Sequence, residues 1–251
     1  MPFGISPAPE LFQQKLDQNL EGLLGVHRIF DDLLITGKGD TLLAASQDHD
    51  RNLQSLLERC QERNIKLNGE KFMFKCSQVP FIGHLLTSEG LKPDPRKVEA
   101  ICNMPKPEDV QAVQRFVNTV KYLSRFLEDL SDMSEPLRRL THKDVPWEWS
   151  QEQDEAFVKI KKAVSTAPVL KFFTPSEPTE GEGDASDKGI GFALMQQGQP
   201  VTYASRALTK ADKTTHRSRK NCLHKCLAWS TITNTYMAEE LPCGQTTSRW
   251  R

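Results

Sequence analysis

Arg28-Ile29-Phe30-Asp31-Asp32-Leu33-Leu34-Ile35 decides the reading of this chain: apolar residues flank two adjacent carboxylates, and the run then enters Thr36-Gly37-Lys38-Gly39. The pattern predicts a strand, an acidic bend and a second strand, a β-hairpin with carboxylates at its tip. Adjacent like charges repel unless something positive sits between them, and a divalent cation is the common solution in phosphoryl chemistry. A bare Asp-Asp pair is also a frequent solvated turn, so the neighbouring sequence has to decide.

The 251 residues are 37% hydrophobic and 26% charged, enough apolar material for one large or two small domains with a buried core. Lys and Arg together number 33, as do Asp and Glu, so no global basic field points to nucleic acid and any such partner is held by local patches. The six cysteines form no C-x-x-C pair, and neither a secretory leader nor a run of roughly 18 apolar residues is present. These features predict an intracellular protein, cytoplasmic or nuclear, with no membrane span. They set no oligomeric state.

Upstream of the hairpin, three prolines within Met1–Pro9 exclude a helix there, and Leu11, Phe12, Leu16, Leu20 and Leu23 then recur at helical spacing. The order Met-Pro-Phe-Gly-x-x-x-Ala-Pro-x-x-Phe-Gln, helix, Phe-Asp-Asp-Leu-Leu resembles the palm of reverse transcriptases from Ty3/Gypsy-type long-terminal-repeat retrotransposons. The resemblance implies that Phe3 and Gly4 lie beside an incoming deoxynucleoside triphosphate. It also implies that Asp31 and Asp32 are two of three carboxylates holding Mg²⁺ at a primer end, where two metals activate the 3′-hydroxyl and stabilise the transferring phosphate.

Two departures stand out. Ile29 replaces the family's Tyr two places before the first Asp, and no counterpart of the third Asp, expected on a strand before the Pro-Phe-Gly loop, is found.

A second amphipathic helix is predicted from Asp48 to Asn64, with Leu53, Leu56, Leu57 and Cys60 on its apolar stripe and Asn64 as its stop. Phe72–Cys76 and Val79–Leu86 read as two short strands. Phe81-Ile82-Gly83-His84 resembles the family's primer-positioning hairpin, where Gly83 would admit a nucleic-acid backbone; a bulge in an edge strand explains the same glycine equally well.

Prolines 93, 95, 105 and 107 separate a short helix near Lys97–Cys102 from a longer one capped by Asp109 and running through Leu127. In the family this is the helical thumb. Its outward face is predicted to carry Arg115, Lys121 and Arg125, suited to phosphates, although a solvated helix face has the same composition. Ser150 with Gln153 predicts a capping box at the start of the segment that leads to the ribonuclease H domain.

Thr174–Gly183 reads as a linker and makes a poor first sheet strand. Asp184-Ala185-Ser186-Asp187-Lys188-Gly189 and Pro200–Leu208 resemble the ribonuclease H start, which implies that Asp184 is its first Mg²⁺ ligand. Asn221 stands where the family has Glu, and no later Asp follows in a matching strand. Cys222 and Cys226 share a helix face at i, i+4 without a well-placed third ligand, so packing competes with zinc there.

The predicted fold is α+β: a partial palm (1–90), a helical thumb (91–144), a connection (145–178), an incomplete ribonuclease H-like domain (179–229) and a disordered tail (230–251), truncated at both ends. The resemblance covers about residues 1–229. It implies primer-template or RNA–DNA hybrid as partner, with RNA-directed DNA synthesis and hybrid cleavage impaired or lost. The alternative is a domesticated, non-catalytic nucleic-acid-binding or interaction module.

Overall fold

The residues Asp32–Gly37 are buried one after another, the signature of a strand covered on both faces. The computed structural model describes residues 7–186, 188–209, 228, 230–231 and 246–250. It divides into two compact units, residues 1–88 with 240–251 and residues 89–239. The unit boundary falls between Ser88 and Glu89, and the second unit takes in the segments read above as thumb, connection and ribonuclease H-like domain.

Unit 1 begins with α1 (Ala8–Asn19), followed by the hairpin of β1 (Val26–Ile29) and β2 (Asp32–Gly37), paired from Val26↔Ile35 to Ile29↔Asp32. Helix α2 (Leu42–Glu62) covers β2, and Leu16, Leu20, Val26, Leu33, Ile35, Leu56 and Cys60 form the core between them. Each such aliphatic side chain contributes roughly 1.5–3 kcal/mol by leaving water. Leu11 and Phe12, expected on the apolar face of α1, stay exposed because that face ends at Leu16 and Leu20. Helix α2 starts six residues before the predicted Asp48, because the Thr41 hydroxyl accepts a hydrogen bond from Ala44 N and caps it there. It stops as predicted, with Asn64 in the left-handed region just beyond its end.

Strands β3 (Met73–Cys76), β4 (Gln78–Phe81) and β5 (His84–Thr87) follow. The run Val79–Leu86 is therefore two strands rather than one. Phe81 pairs with His84 across Ile82-Gly83, whose φ values of 48° and 67° are those of a type I′ turn. Gly83 serves the turn, not a bulge.

Unit 2 opens with β6 (Gly90–Pro93), bridged at Leu91 to Leu170, and α3 (Pro95–Cys102). Helix α4 (Val110–Lys121) carries the predicted Asp109 cap, the carboxylate accepting from Ala112 N. It ends at Lys121 rather than Leu127, giving way to a 3₁₀ turn at Ser124–Phe126. Short helices α5 (Leu130–Met133) and α6 (Glu135–Arg139) lead to α7 (Gln151–Ser165), where the capping box of Ser150 and Gln153 is formed. Phe116 of α4 and Phe157 of α7 meet with ring centroids 4.7 Å apart in the helical core.

Strands β7 (Glu180–Ala185), β8 (Gly189–Gln196) and β9 (Gln199–Ala207) form an antiparallel sheet in that order. The Gly-rich stretch expected to be a linker is thus paired with β8 over six residues, from Glu180↔Met195 to Ala185↔Ile190. Low side-chain propensity does not prevent this, because the ladder is made by the backbone and the ring of Phe192, which pairs with Gly183, leans diagonally over Gly181. A Cβ on Gly181 would lie 2.9 Å from that ring. The preceding loop is held by the buried amide of Gln196, which donates to Thr174 O at 2.8 Å and accepts from Thr174 N at 2.9 Å.

The end of the chain returns to unit 1. Thr246–Trp250 form β10, inserted between β2 and β3 and antiparallel to both, with Thr246↔Gly37 and Trp250↔Leu33. These five residues correct the expectation of a disordered tail over 230–251. Two threonines and a tryptophan are strand formers, and the unpaired groups of β2 and β3 offer a ladder on each side. Among the described residues, no helix is long and apolar enough to cross a membrane.

Candidate active site and nucleic-acid face

The Asp31-Asp32 bend is a two-residue turn, Phe30-Asp31, between β1 and β2. Phe30 has φ 53°, a left-handed conformation that costs an L side chain roughly 1–2 kcal/mol. It is held from α1: Phe30 N donates to Gln13 Oε1 at 2.5 Å, and the Gln13 amide donates to Asp17 Oδ1 at 3.0 Å and to Arg28 O at 3.4 Å. Arg28 Nε pairs with Asp17 Oδ1 at 3.0 Å, and its Nη1 donates to Leu20 O at 2.5 Å. The helix after the Pro-Phe-Gly loop therefore braces the acidic tip. Gln13 was not singled out in the sequence, where Phe12-Gln13 reads only as part of an amphipathic helix.

The two carboxylates have different surroundings. Asp31 is exposed at the tip, whereas Asp32 opens β2 and is 8% exposed. β10, which lies alongside β2, has the sequence Thr-Thr-Ser-Arg-Trp and contains no acid. Asp17, the α1 acid that reaches this hairpin, is engaged by Arg28 and Gln13. Among the described residues, no three His, Cys, Asp or Glu side chains are grouped so as to hold a metal ion. The donor set at the hairpin therefore does not fit a pair of magnesium ions, which needs bridging carboxylates from separate elements. Phe3 and Gly4 lie outside the described residues.

Asp184 is exposed on β7, opposite Gly191. Two acids not singled out in the sequence lie against the neighbouring strand β8: Asp129, which precedes α5, and Asp132, within it. Asp129 Oδ1 occupies the place a Cβ on Gly191 would take, 2.2 Å from it, and Asp132 Oδ1 does the same at Gly189, 2.3 Å away. Partial burial, together with the negative charges of Asp132 and Asp184, pushes the Asp129 carboxyl above the ordinary range. The signal was the acidic run Glu128-Asp129-Leu130-Ser131-Asp132, which looks like an ordinary loop when α4 is drawn through Leu127. Asp187, Asn221, Cys222 and Cys226 fall outside the described residues.

Asp129→Asn should stabilise unit 2 near neutral pH. The raised folded pKa means that folding binds a proton, so stability is lost as pH rises through the interval above the unfolded value. Asn removes that loss and suits the φ of 52° at this position. A thermal melt at pH 7 should rise by about 1–2 °C, with no rise at a pH where Asp129 is protonated in both states.

On α4, Arg115 and Lys121 are exposed and available to phosphates. Arg125 is not on that face. Because the helix ends at Lys121, Arg125 falls in the 3₁₀ turn, where burial lowers its pKa and its Nε has no acceptor among the described residues.

Residues 149–238 match a family described as an RNase H-like domain found in reverse transcriptase. The chain is 33% identical over 218 residues to the retrovirus-related Pol polyprotein from transposon 412 of Drosophila melanogaster, covering 84% of this chain and 17% of that protein. It is 31% identical to the transposon Tf2-3 polyprotein of Schizosaccharomyces pombe, covering 84% and 16%. With the Pol polyprotein from transposon opus of Drosophila melanogaster it shares 30% identity over 250 residues, covering 92% and 24%. The chain thus spans between 16% and 24% of these relatives' lengths.

Among solved structures, the foamy viral protease-reverse transcriptase in complex with double-stranded DNA superposes with a TM-score of 0.78 at 19% identity, covering 91% of this chain and 40% of that one. That structure is the form designated dRH; the foamy viral protease-reverse transcriptase in complex with an RNA/DNA hybrid gives 0.76 at 19% identity, covering 94% and 32%. These likenesses carry the α+β fold. With the braced Asp-Asp hairpin and the relatives' identity, they place the chain in the Ty3/Gypsy-type retrotransposon Pol family, as a segment running from reverse transcriptase into the RNase H-like domain.

Proposed function

We propose that this segment binds primer-template or RNA–DNA hybrid without polymerising deoxynucleoside triphosphates or cutting the RNA strand at a useful rate. The observation that carries the reading is the donor count at the hairpin: Asp31 and Asp32 gain no third carboxylate among the described residues, and β10 beside them brings none. In a reverse transcriptase, bound Mg²⁺ activates the primer hydroxyl and stabilises charge on the leaving group. Asp31 and Asp32 hold such an ion loosely, and near Asp184 the neighbouring carboxylate, Asp129, feels the like charges of Asp132 and Asp184. Nucleic acid is engaged through the exposed Arg115 and Lys121 of α4, which contact backbone and read no sequence. A chain of this kind works where nucleic acid is, in cytoplasm or nucleus.

Primer extension on an RNA template with Mg²⁺ should give no incorporation, and fluorescence anisotropy should show salt-dependent binding to an RNA–DNA hybrid. Arg115→Gln and Lys121→Gln should each reduce the slope of log K against log salt by about 1. Incorporation that Asp31→Asn abolishes would instead establish a working polymerase.

A further inference from the structure

Unit 2 holds a cavity of about 630 Å³ walled by α4, α5, α6, α7 and the second half of β9. Its lining includes three cationic side chains, Lys121, Arg138 and Arg206, and the hydroxyls of Ser131, Ser134 and Tyr203; among the described residues no Asp or Glu lines it. The side chains are drawn from five elements between residues 114 and 207, so the composition is not that of a single solvated helix face.

Arg138 is the informative member. Its Nη2 donates to Ser131 O, while its Nε is buried with no acceptor among the described residues. Asp132 and Glu135 favour its charged form through space, yet burial outweighs them and lowers its pKa. A charged guanidinium partly out of water is stabilised by an anion in the space it borders. Phosphate oxygens match planar guanidinium donors, and the Ser131 and Tyr203 hydroxyls supply neutral donors around them, whereas Ser134 Oγ already donates to Leu130 O at 2.6 Å.

We infer that this cavity binds a phosphorylated small molecule of nucleotide size, with Arg138 from α6 and Arg206 from β9 taking its phosphate oxygens. The apolar atoms of α4 and α7 cover the organic part. The volume lies within the range of small-molecule sites and is far below what a duplex occupies. The site goes beyond hybrid binding by the outer face of α4; Lys121 is common to both, so Arg138 and Arg206 are the residues that separate them.

Isothermal titration of the full chain with pyrophosphate and with adenosine 5′-triphosphate tests this. Saturable one-to-one binding is expected, weakened about tenfold by Arg138→Gln and by Arg206→Gln and unchanged by Lys66→Gln, an exposed position in unit 1. Arg206 is exposed, so its variant stays folded and keeps the test valid if Arg138→Gln does not fold. No saturable heat with either probe, or equal binding by wild type and Arg206→Gln, overturns the inference. Displacement of pyrophosphate by an RNA–DNA hybrid that persists in Lys121→Gln, where the shared cation is gone, also overturns it, assigning Arg138 and Arg206 to backbone phosphate. Hybrid binding measured without pyrophosphate remains a separate test of the reading above.

Discussion

Gly37→Ala is expected to destabilise unit 1 by about 3 kcal/mol, at the upper end of what overpacking a close-packed interface costs. Gly37 closes β2 where α2 crosses it. A Cβ there would lie 2.0 Å from Ala45 O, 2.5 Å from His49 N and 2.6 Å from His49 Cβ, two of the three being backbone atoms that no rotamer change can move. Helix α2 would have to lift from the sheet, uncovering Leu33, Ile35 and Leu56. Gly69→Ala is the matched control, since nothing lies within 4 Å of the added methyl. Hydrogen exchange resolved by peptide should show faster exchange in 32–37 and 42–62 for Gly37→Ala, with 110–121 unaffected. Unchanged protection in β2 would mean that the helix–strand approach is looser than 2.0 Å implies.

The same contact marks the limit of what could be read from the chain. Thr36-Gly37-Lys38-Gly39 was legible as the exit from a strand, because Gly punctuates apolar runs. That Gly37 is instead a packing position, chosen by a helix beginning at Thr41, depends on a tertiary approach that local pattern does not encode. The hairpin itself was legible because Ile29 on one side and Leu33, Leu34 and Ile35 on the other flank an acidic pair. The Ser150–Gln153 box and the Asp109 cap were legible because each is a local exchange of hydrogen bonds within four residues.

Long-range structure was not. β7 looked like a linker because its glycines answer to Phe192, which lies across the ladder, and β10 looked like a tail because its partners are about two hundred residues away in sequence. At the candidate site, Asp31, Asp32 and Asp184 came from resemblance. Gln13, Asp129 and Asp132 emerged only from geometry, since each acts on a residue in another element. Arg125 was misplaced because helical periodicity was carried six residues past the end of α4.

Unit 1 should lose stability on acidification between about pH 6.5 and pH 4 through His27. The imidazole sits on β1, its Nε2 3.4 Å from the Thr36 hydroxyl, and burial, Lys38 and Arg28 push its pKa down to about 4. Above pH 6.5 the ring is neutral in both states and the full stability is present. Between the two values the unfolded chain binds a proton that the folded one does not, so stability rises with pH there and falls as pH drops. Below about pH 4 both states are protonated and the loss is complete. After allowance for solvent screening the loss is on the order of 2 kcal/mol. His27→Gln keeps a polar partner for Thr36 and cannot gain the charge, so its urea midpoint for unit 1 should be flatter than wild type over this interval. Because Thr36 belongs to the strand that Asp32 opens, protonation should also loosen the acidic hairpin, visible as faster exchange at residues 26–37. An imidazole resonance titrating near 6.5 in the folded chain would remove the basis for both effects.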